Sequence, residues 1–220
     1  MYTINDLFSL EHTRAAEYLR QYTYPWEALK GIKDEIIRLG ETLDKTQYNE
    51  VAPQVWVHVT ATVAPTAYLG APCIIGAKTE VRHGAFIRGS ALVGEGCVVG
   101  NSVELKNVIL FDGVQVPHYN YVGDSILGFK SHMGAGSITS NVKSDKTLVV
   151  IKNGEEKFFT ERKKVGAILG DNVEVGCNSV LNPGTVIGRN SNVYPLSSVR
   201  GVVPDHCIYK DADKIVAKTE

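Results

Sequence analysis

The chain has 220 residues, with 23 Lys and Arg against 24 Asp and Glu. The resulting charge of −1 excludes a broad surface for nucleic acid or another polyanion. No stretch approaches the roughly 18 apolar residues of a spanning helix, so no membrane partner is expected, and charges interrupt Met1–Arg20 where a secretion signal needs an apolar run. Cys73, Cys97, Cys177 and Cys207 lie far apart with no Cys-x-x-Cys spacing, so disulfides and a cysteine zinc site are not expected, and the expected compartment is cytoplasmic.

Residues 1–50 are expected to be an N-terminal helical region. Trp26, Leu29, Ile32, Ile36, Leu39 and Leu43 recur at steps of three and four after Pro25, the pattern of one amphipathic helix. Asn5–Tyr18 suits a second, shorter helix. These helices are expected to form a cap over an open solenoid end, because a bare end exposes edge strands.

From Val57 an aliphatic residue returns every six positions: Val57, Val63, Leu69, Ile75, Val81, Ile87, Val93, Val99 and Leu105, with Phe111 closing the run. Small or β-branched residues such as Ala61, Cys73, Thr79 and Cys97 sit four places after the beats. Val116, Val122, Leu127 and Met133 keep the pattern with two five-residue steps, and it resumes at Leu169, Val175, Leu181, Ile187, Val193 and Val199. A helix would drift out of phase with this period, and an antiparallel meander would show turns about every 8–12 residues. Three short strands per 18-residue coil fit it, with coils stacked about 4.8 Å apart. The expected fold class is all-β, a parallel β-helix over 51–203 whose hand the spacing does not decide.

Residues 140–164 interrupt the coils. Within them, TLVVIK-Asn153-Gly154-EEKFFTE predicts a β-hairpin with a type I′ turn. Residues 143–164 carry seven basic and four acidic side chains. They read either as a solvated loop or as an arm that brings cations to a phosphorylated ligand. Residues 204–220 read as a short tail or helix.

Stacking turns the sequence into a surface map. Arg88 and Lys106 each follow a beat and are 18 residues apart, so they form a column with Gly70 below and Gly123 above. Two like charges one coil apart repel unless water or a shared anion separates them; a phosphate site and two solvated side chains both remain open. Glu104 and Tyr121 stack just before their beats, and His83, Asn101 and His118 stack two places after theirs. An imidazole at His118 is suited to proton transfer. His83, His118 and His132 lack the close pairing of a metal site, so no metal is expected.

The segments VVGNSVELKN, VPHYNYVGDSILG and MGAGSITSN resemble the acetyltransferase domain of the bifunctional bacterial glucosamine-1-phosphate acetyltransferase and N-acetylglucosamine-1-phosphate uridylyltransferase. They are more similar still to the carboxy-terminal half of archaeal sugar-1-phosphate nucleotidylyltransferases with amino-sugar acetyltransferase activity, over about residues 52–210. The resemblance implies a left-handed parallel β-helix of hexapeptide repeats, a homotrimer, and acetyl-coenzyme A bound between neighbouring coils of two chains. It implies His118 as general base, Glu104 in support of the base or substrate, and Asn141 at the amine or acetyl group. Arg88, Lys106 and Tyr121 would hold the sugar phosphate. His132 stands where the bacterial family has an Asn that binds sugar and cofactor. Cofactor contacts are implied at Ala135, at Cys177 in place of a Ser, at Pro195 in place of an Ala, and at Lys146.

The function expected is acetyl-coenzyme A-dependent N-acetylation of an amino-sugar phosphate. No glycine-rich LxAGxGTR-like segment is present, so this chain alone is not expected to make sugar nucleotides. The rival readings are a non-catalytic half that works with a separate nucleotidylyltransferase chain, a metal-dependent hydratase of the carbonic-anhydrase type, and an acyltransferase for another acceptor.

Overall fold

The computed structural model describes residues 1–219, and in it the six-residue period becomes a parallel β-helix with three faces. The first face stacks Thr62–Val63, Glu80–Val81, Val98–Asn101, Gln115–His118, His132–Met133, Glu174–Val175 and Asn192–Val193 in parallel. The second face carries Tyr68–Leu69, Phe86–Ile87, 104–106, 121–123, Ile138–Thr139, Val180–Leu181 and Ser198–Val199. The third runs from Val55–His58 through Cys73–Ile75, Ala91–Val93, 108–110, 125–127 and Ala167–Leu169 to Thr185–Ile187 and Val202–Val203. Every beat from Val81 to Val199 points inward and is buried, and Phe111 is the largest fully buried side chain.

Left-handed residues make the corners. Gly84, Ser102, Tyr119, Gly136, Asn178 and Leu196, all at positive φ, stack between the first and second faces. That conformation suits Gly and Asn, whereas Tyr119 and Leu196 adopt it against the preference of their Cβ atoms. Glycine is required for another reason at Gly100, where a Cβ would lie 1.5 Å from the Pro117 carbonyl oxygen of the next coil.

The N-terminal region departs from the expected cap. Its helices are short (Ile4–Leu7, Ala16–Leu19, Pro25–Ala28 and Ile32–Glu41) and lie along the third face instead of over an open end. Tyr2 bonds Asp205 near the last coil, Leu7 O accepts from Asp171 N at 3.0 Å, His12 O accepts from Asp112 N at 3.0 Å, and Gly40 packs against Trp56 near the first. The reason is a stripe of outward aliphatics, Ile74, Leu92, Ile109, Ile126, Ile168 and Val186, each at most 2% exposed beneath Ile4, Leu7, Leu19, Leu29, Ile32 and Ile36. The helix expected over Asn5–Tyr18 breaks because its carbonyls and the Ser9 N–H bond the coils instead, Ser9 N donating to Asp171 Oδ2 at 2.7 Å. No helix among the described residues is long and apolar enough to cross a membrane.

Antiparallel strands cover the edges. Tyr48–Ala52 pairs with Val55–His58 at one end. At the other, the expected tail or helix is, over its described residues, a hairpin of Cys207–Asp211 and Lys214–Ala217 that extends the first face; Glu220 lies outside the described residues. The insertion forms the hairpin Val150–Asn153 with Glu156–Phe159. Asn153 pairs with Glu156, so the turn residues are Gly154 and Glu155, and only Gly154 has positive φ. That matches glycine at the first position of a type II′ turn and corrects the expected type I′.

Ile109→Ala removes a side chain that faces away from the coil interior yet is buried under the helices, and is expected to cost about 2–5 kcal/mol. Urea denaturation measures it; a cost within error of zero would mean that the helices do not pack there in solution.

Candidate active site

The polypeptide turns from the second face to the third at Asn107 and Asp124, in successive coils and both at positive φ. Short polar side chains tolerate this conformation, and here it folds the Asp124 carboxylate into the corner, where the residue is 2% exposed. Three donors converge on it. Lys106 Nζ lies 3.1 Å from both oxygens, Asn107 Nδ2 donates at 2.9 Å and Asn141 Nδ2 at 2.6 Å. Asn141 Nδ2 also lies 3.2 Å from the Tyr121 hydroxyl. Gly123 leaves room for this contact, since a Cβ there would meet the Tyr121 hydroxyl at 2.4 Å. Burial, followed by the nearby Asp124 and Glu104 charges, pushes the Tyr121 phenol above its ordinary range, so it stays a neutral hydrogen-bonding group.

Each cation of the expected column has its own carboxylate. Arg88 Nη1 donates to Glu104 Oε1 at 2.7 Å, and Lys106 holds Asp124. The stacked charges are therefore neutralised within the chain, where the sequence left a shared anion or solvent as the alternatives. Arg88 and Glu104 are half-exposed and can exchange one partner for another, whereas Asp124 cannot.

His118 ends its first-face strand opposite Asn101, three residues before Tyr121. It is exposed, and its imidazole has no hydrogen-bond partner among the described residues. Its backbone is held firmly. His118 N donates to Asn120 Oδ1 at 3.1 Å, while Asn120 Nδ2, itself buried, donates to Gly134 O at 2.9 Å and Ser137 O at 3.0 Å. Asn120 thus clamps the turn that carries His118 to the coil above.

A second alignment runs from His118 along the solenoid. Gly136 N donates to His118 O at 3.0 Å, Asn178 N to Ala135 O at 2.8 Å and Leu196 N to Cys177 O at 2.9 Å. His118, Ala135, Cys177 and Pro195 therefore form one column, two places after successive beats, spanning roughly 14 Å at the strand spacing. Gly134 and Gly176 keep the coils close, because a Cβ at either would meet the backbone of Cys177 or Pro195 below 3.0 Å. Ala135 N–H has no acceptor among the described residues, while Gly134 and Gly136 N–H are engaged.

Two expected residues lie elsewhere. His132 is on the first face at the column of the residues before the beats, where Nδ1 contacts Glu174 Oε2 at 2.8 Å. Lys146 is exposed in the loop before the insertion hairpin. His83 contacts the Thr66 hydroxyl at 2.6 Å. Sequence reasoning missed Asp124, Asn107 and Asn120. The first two carried a signal, since an Asn and an Asp 17 residues apart occupy the same corner.

The model of the GMPPB C-terminal domain matches residues 72–193, more than half of the chain. The chain belongs to that family. Among curated relatives it is 35% identical over 135 residues to the bifunctional protein GlmU of Methanococcus maripaludis strain C5, covering 61% of this chain and 33% of the relative. It is 32% identical over 111 residues to the bifunctional sugar-1-phosphate nucleotidylyltransferase/acetyltransferase of Sulfurisphaera tokodaii, covering 50% and 28%. The chain spans about a third of the length of these relatives. Among solved structures, the polySia-specific acetyltransferase NeuO aligns at 13% identity and TM-score 0.47, covering 72% of this chain and 82% of that one.

Asp124→Ala leaves Lys106, Asn107 and Asn141 without their common acceptor and is expected to cost about 1–3 kcal/mol. Arg88→Ala, at an exposed pair, should leave the melting temperature unchanged. Equal melting temperatures for both variants and the wild type would contradict the hub.

Proposed function

We propose that this chain is an acetyltransferase that moves an acetyl group from acetyl-coenzyme A to the amine of an amino-sugar phosphate. The observation that carries the reading is the column from His118 through Ala135 and Cys177 to Pro195, with a free imidazole at one end and a free N–H one coil above it. The column fits the co-substrate: His118, Cys177 and Pro195 are exposed along it, and Gly134 and Gly176 beside it keep neighbouring coils in close register. Acetyl-coenzyme A supplies the acetyl group as an activated thioester. The names of the relatives, which include a sugar-1-phosphate nucleotidylyltransferase/acetyltransferase, support the same class.

In this reading His118 takes a proton from the attacking amine, nitrogen bonds the carbonyl carbon, and the carbon–sulfur bond breaks to release the thiol. The unengaged Ala135 N–H is the donor for the developing oxyanion. Arg88, Lys106 and Tyr121 line the acceptor side, with Asn141 aimed by Asp124. Tyr119, Tyr194 and Leu196 are 65%, 45% and 79% exposed beside the column, and Tyr119 and Leu196 hold an unfavourable backbone conformation there. A second copy of the chain packing on this corner, as in a homotrimer, would cover them.

His118→Ala is expected to lower kcat by about 10²–10⁴-fold with an unchanged melting temperature, measured by thiol release with a panel of amino-sugar phosphates. Full activity in that variant would remove His118 from the chemistry. Burial pushes the Cys73 and Cys97 thiols up to about 12, whereas Cys177 is exposed on the column. Iodoacetamide at neutral pH should therefore label Cys177 first, and coenzyme A should protect it. Labelling indifferent to coenzyme A would place the co-substrate elsewhere.

A second reading, a non-catalytic module serving a separate nucleotidylyltransferase chain, is favoured by the family's description as a C-terminal domain. Recovery of such a chain on an affinity column, with no thiol release for any acceptor, would decide for it.

A further inference from the structure

Asp124 takes three donors, and the chemistry of one of them decides how the neighbouring phenol is used. The two ends of an asparagine amide differ in hydrogen bonding: the oxygen only accepts, and the nitrogen donates twice. Both Asp124 oxygens face Lys106 Nζ at 3.1 Å, and Oδ1 also takes Asn107 Nδ2 at 2.9 Å. A carboxylate engaged in this way has only acceptors to offer. The Asn141 atom 2.6 Å from Oδ2 is therefore the amide nitrogen.

The same nitrogen lies 3.2 Å from the Tyr121 hydroxyl. One of its hydrogens goes to Asp124 and the other to Tyr121. The phenol oxygen thus accepts, and its own O–H is left to donate elsewhere. Among the described residues that O–H has no acceptor, and Asn141 Oδ1 has no donor and stays open to solvent. The opposite amide orientation would invert this polarity, with Tyr121 donating to Asn141 and an N–H left over for a ligand.

An amide on a carboxylate can serve packing alone, but here the surroundings hold the orientation at a surface. The Asn141 backbone is pinned: Val165 N donates to Asn141 O at 3.1 Å, Ser140 N donates to Leu181 O at 2.8 Å, and Val142 bridges Lys164. Asn107 Nδ2 sits between two acceptors, Asp124 Oδ1 and Leu29 O at 3.1 Å, so its orientation is decided as well. Gly123 keeps the space open, since a Cβ there would meet the Tyr121 hydroxyl and lie 3.0 Å from Asn141 Nδ2. A buried carboxylate, a glycine and two amides converge on one unpaired acceptor and one unpaired donor.

We infer that Asp124 is a positioning residue that sets the hydrogen-bond polarity of the acceptor side: by holding the Asn141 nitrogen it leaves the Asn141 carbonyl oxygen and the Tyr121 O–H for the ligand. The identity of that ligand rests on the acetyltransferase reading. In it, the acceptor amine donates an N–H to Asn141 Oδ1, and Tyr121 donates to an oxygen of the amino-sugar phosphate. An amide turned the other way would meet the amine with a second donor. Burial raises the Tyr121 phenol, so the proton this role needs is present at neutral pH.

Neutron diffraction from crystals of the deuterated protein reads the polarity with no ligand bound. Deuterons on the Asn141 atom between Asp124 and Tyr121, with the Tyr121 O–D turned away from Asn141, are expected. A Tyr121 O–D directed at Asn141 would overturn the proposal. Kinetics read the consequence: Asp124→Asn, isosteric but able to donate, and Tyr121→Phe should each raise KM for glucosamine 1-phosphate about three- to tenfold, with KM for acetyl-coenzyme A unchanged. The double variant should be no worse than the worse single one, because Asp124 acts through Tyr121. Losses that multiply would reduce Asp124 to a structural part and overturn its positioning role. Circular dichroism checks folding, and Asn141→Ala takes the place of Asp124→Asn in the cycle if that variant does not fold. Absence of thiol release with every acceptor would remove the acetyltransferase reading, while the neutron map would still decide the polarity. Multiplying losses in an active enzyme would do the reverse.

Discussion

Parallel stacking of coils is the constraint on which the rest of this structure depends. Each strand lies about 4.8 Å from the next, so a residue is fixed above another 17 or 18 positions away, whatever lies between them in sequence. Backbone hydrogen bonds enforce the register, as from Gly136 N to His118 O and from Leu196 N to Cys177 O. The core can be made of ordinary aliphatics because only their spacing matters. The price is that every polar residue on the surface acquires close neighbours above and below, and their charges must be reconciled.

That reconciliation is visible at the Asp124 corner. Arg88 and Lys106 are held one coil apart, and each faces a carboxylate on the adjoining coil. The two pairs are not equivalent. Glu104 is partly exposed, and breaking its bond to Arg88 costs little in water. Asp124 is buried, and its lone pairs are filled by an ammonium and two amides, so it behaves as a fixed part of the scaffold. A rigid carboxylate beside an adaptable one gives the second face both a positioning group for Asn141 and Tyr121 and a cation, Arg88, that can turn to a ligand.

The period of six made the solenoid legible, and with it the columns of Arg88, Glu104, Lys106, Tyr121 and His118. The pairing of Glu104 with Tyr121, and of His118 with Asn101, follows from counting alone. Asp124 and Asn120 were harder to read, because their roles depend on a corner folding inward, and spacing does not say which way a short polar side chain turns. The helical strap illustrates a different gap. Its cause was present as Ile74, Leu92, Ile109 and Ile126, outward positions at coil spacing that are apolar where the other faces are polar. Periodicity within residues 1–50 marked an amphipathic face but not the surface it meets. His132 shows the opposite limit: its alignment position suggested ligand contact, whereas the strand register directs it to Glu174.

The same geometry separates two surfaces of different character. Along the first face, the positions two after each beat carry no charged side chain from His118 to Pro195, which suits a long substrate lying across several coils. Around the corner, charges and amides are concentrated within two neighbouring coils, which suits a compact polar one. His118 stands at the junction, with its backbone fixed by Asn120 and its ring left free. The base proposed at this position would have to be placed accurately yet keep a lone pair available, and backbone clamping is compatible with both. A hydrogen bond to the ring itself would orient it at the cost of occupying one of its nitrogens. With the ring free, its orientation is not fixed by the solenoid and would be set, under the proposed function, by the substrate bound at the junction.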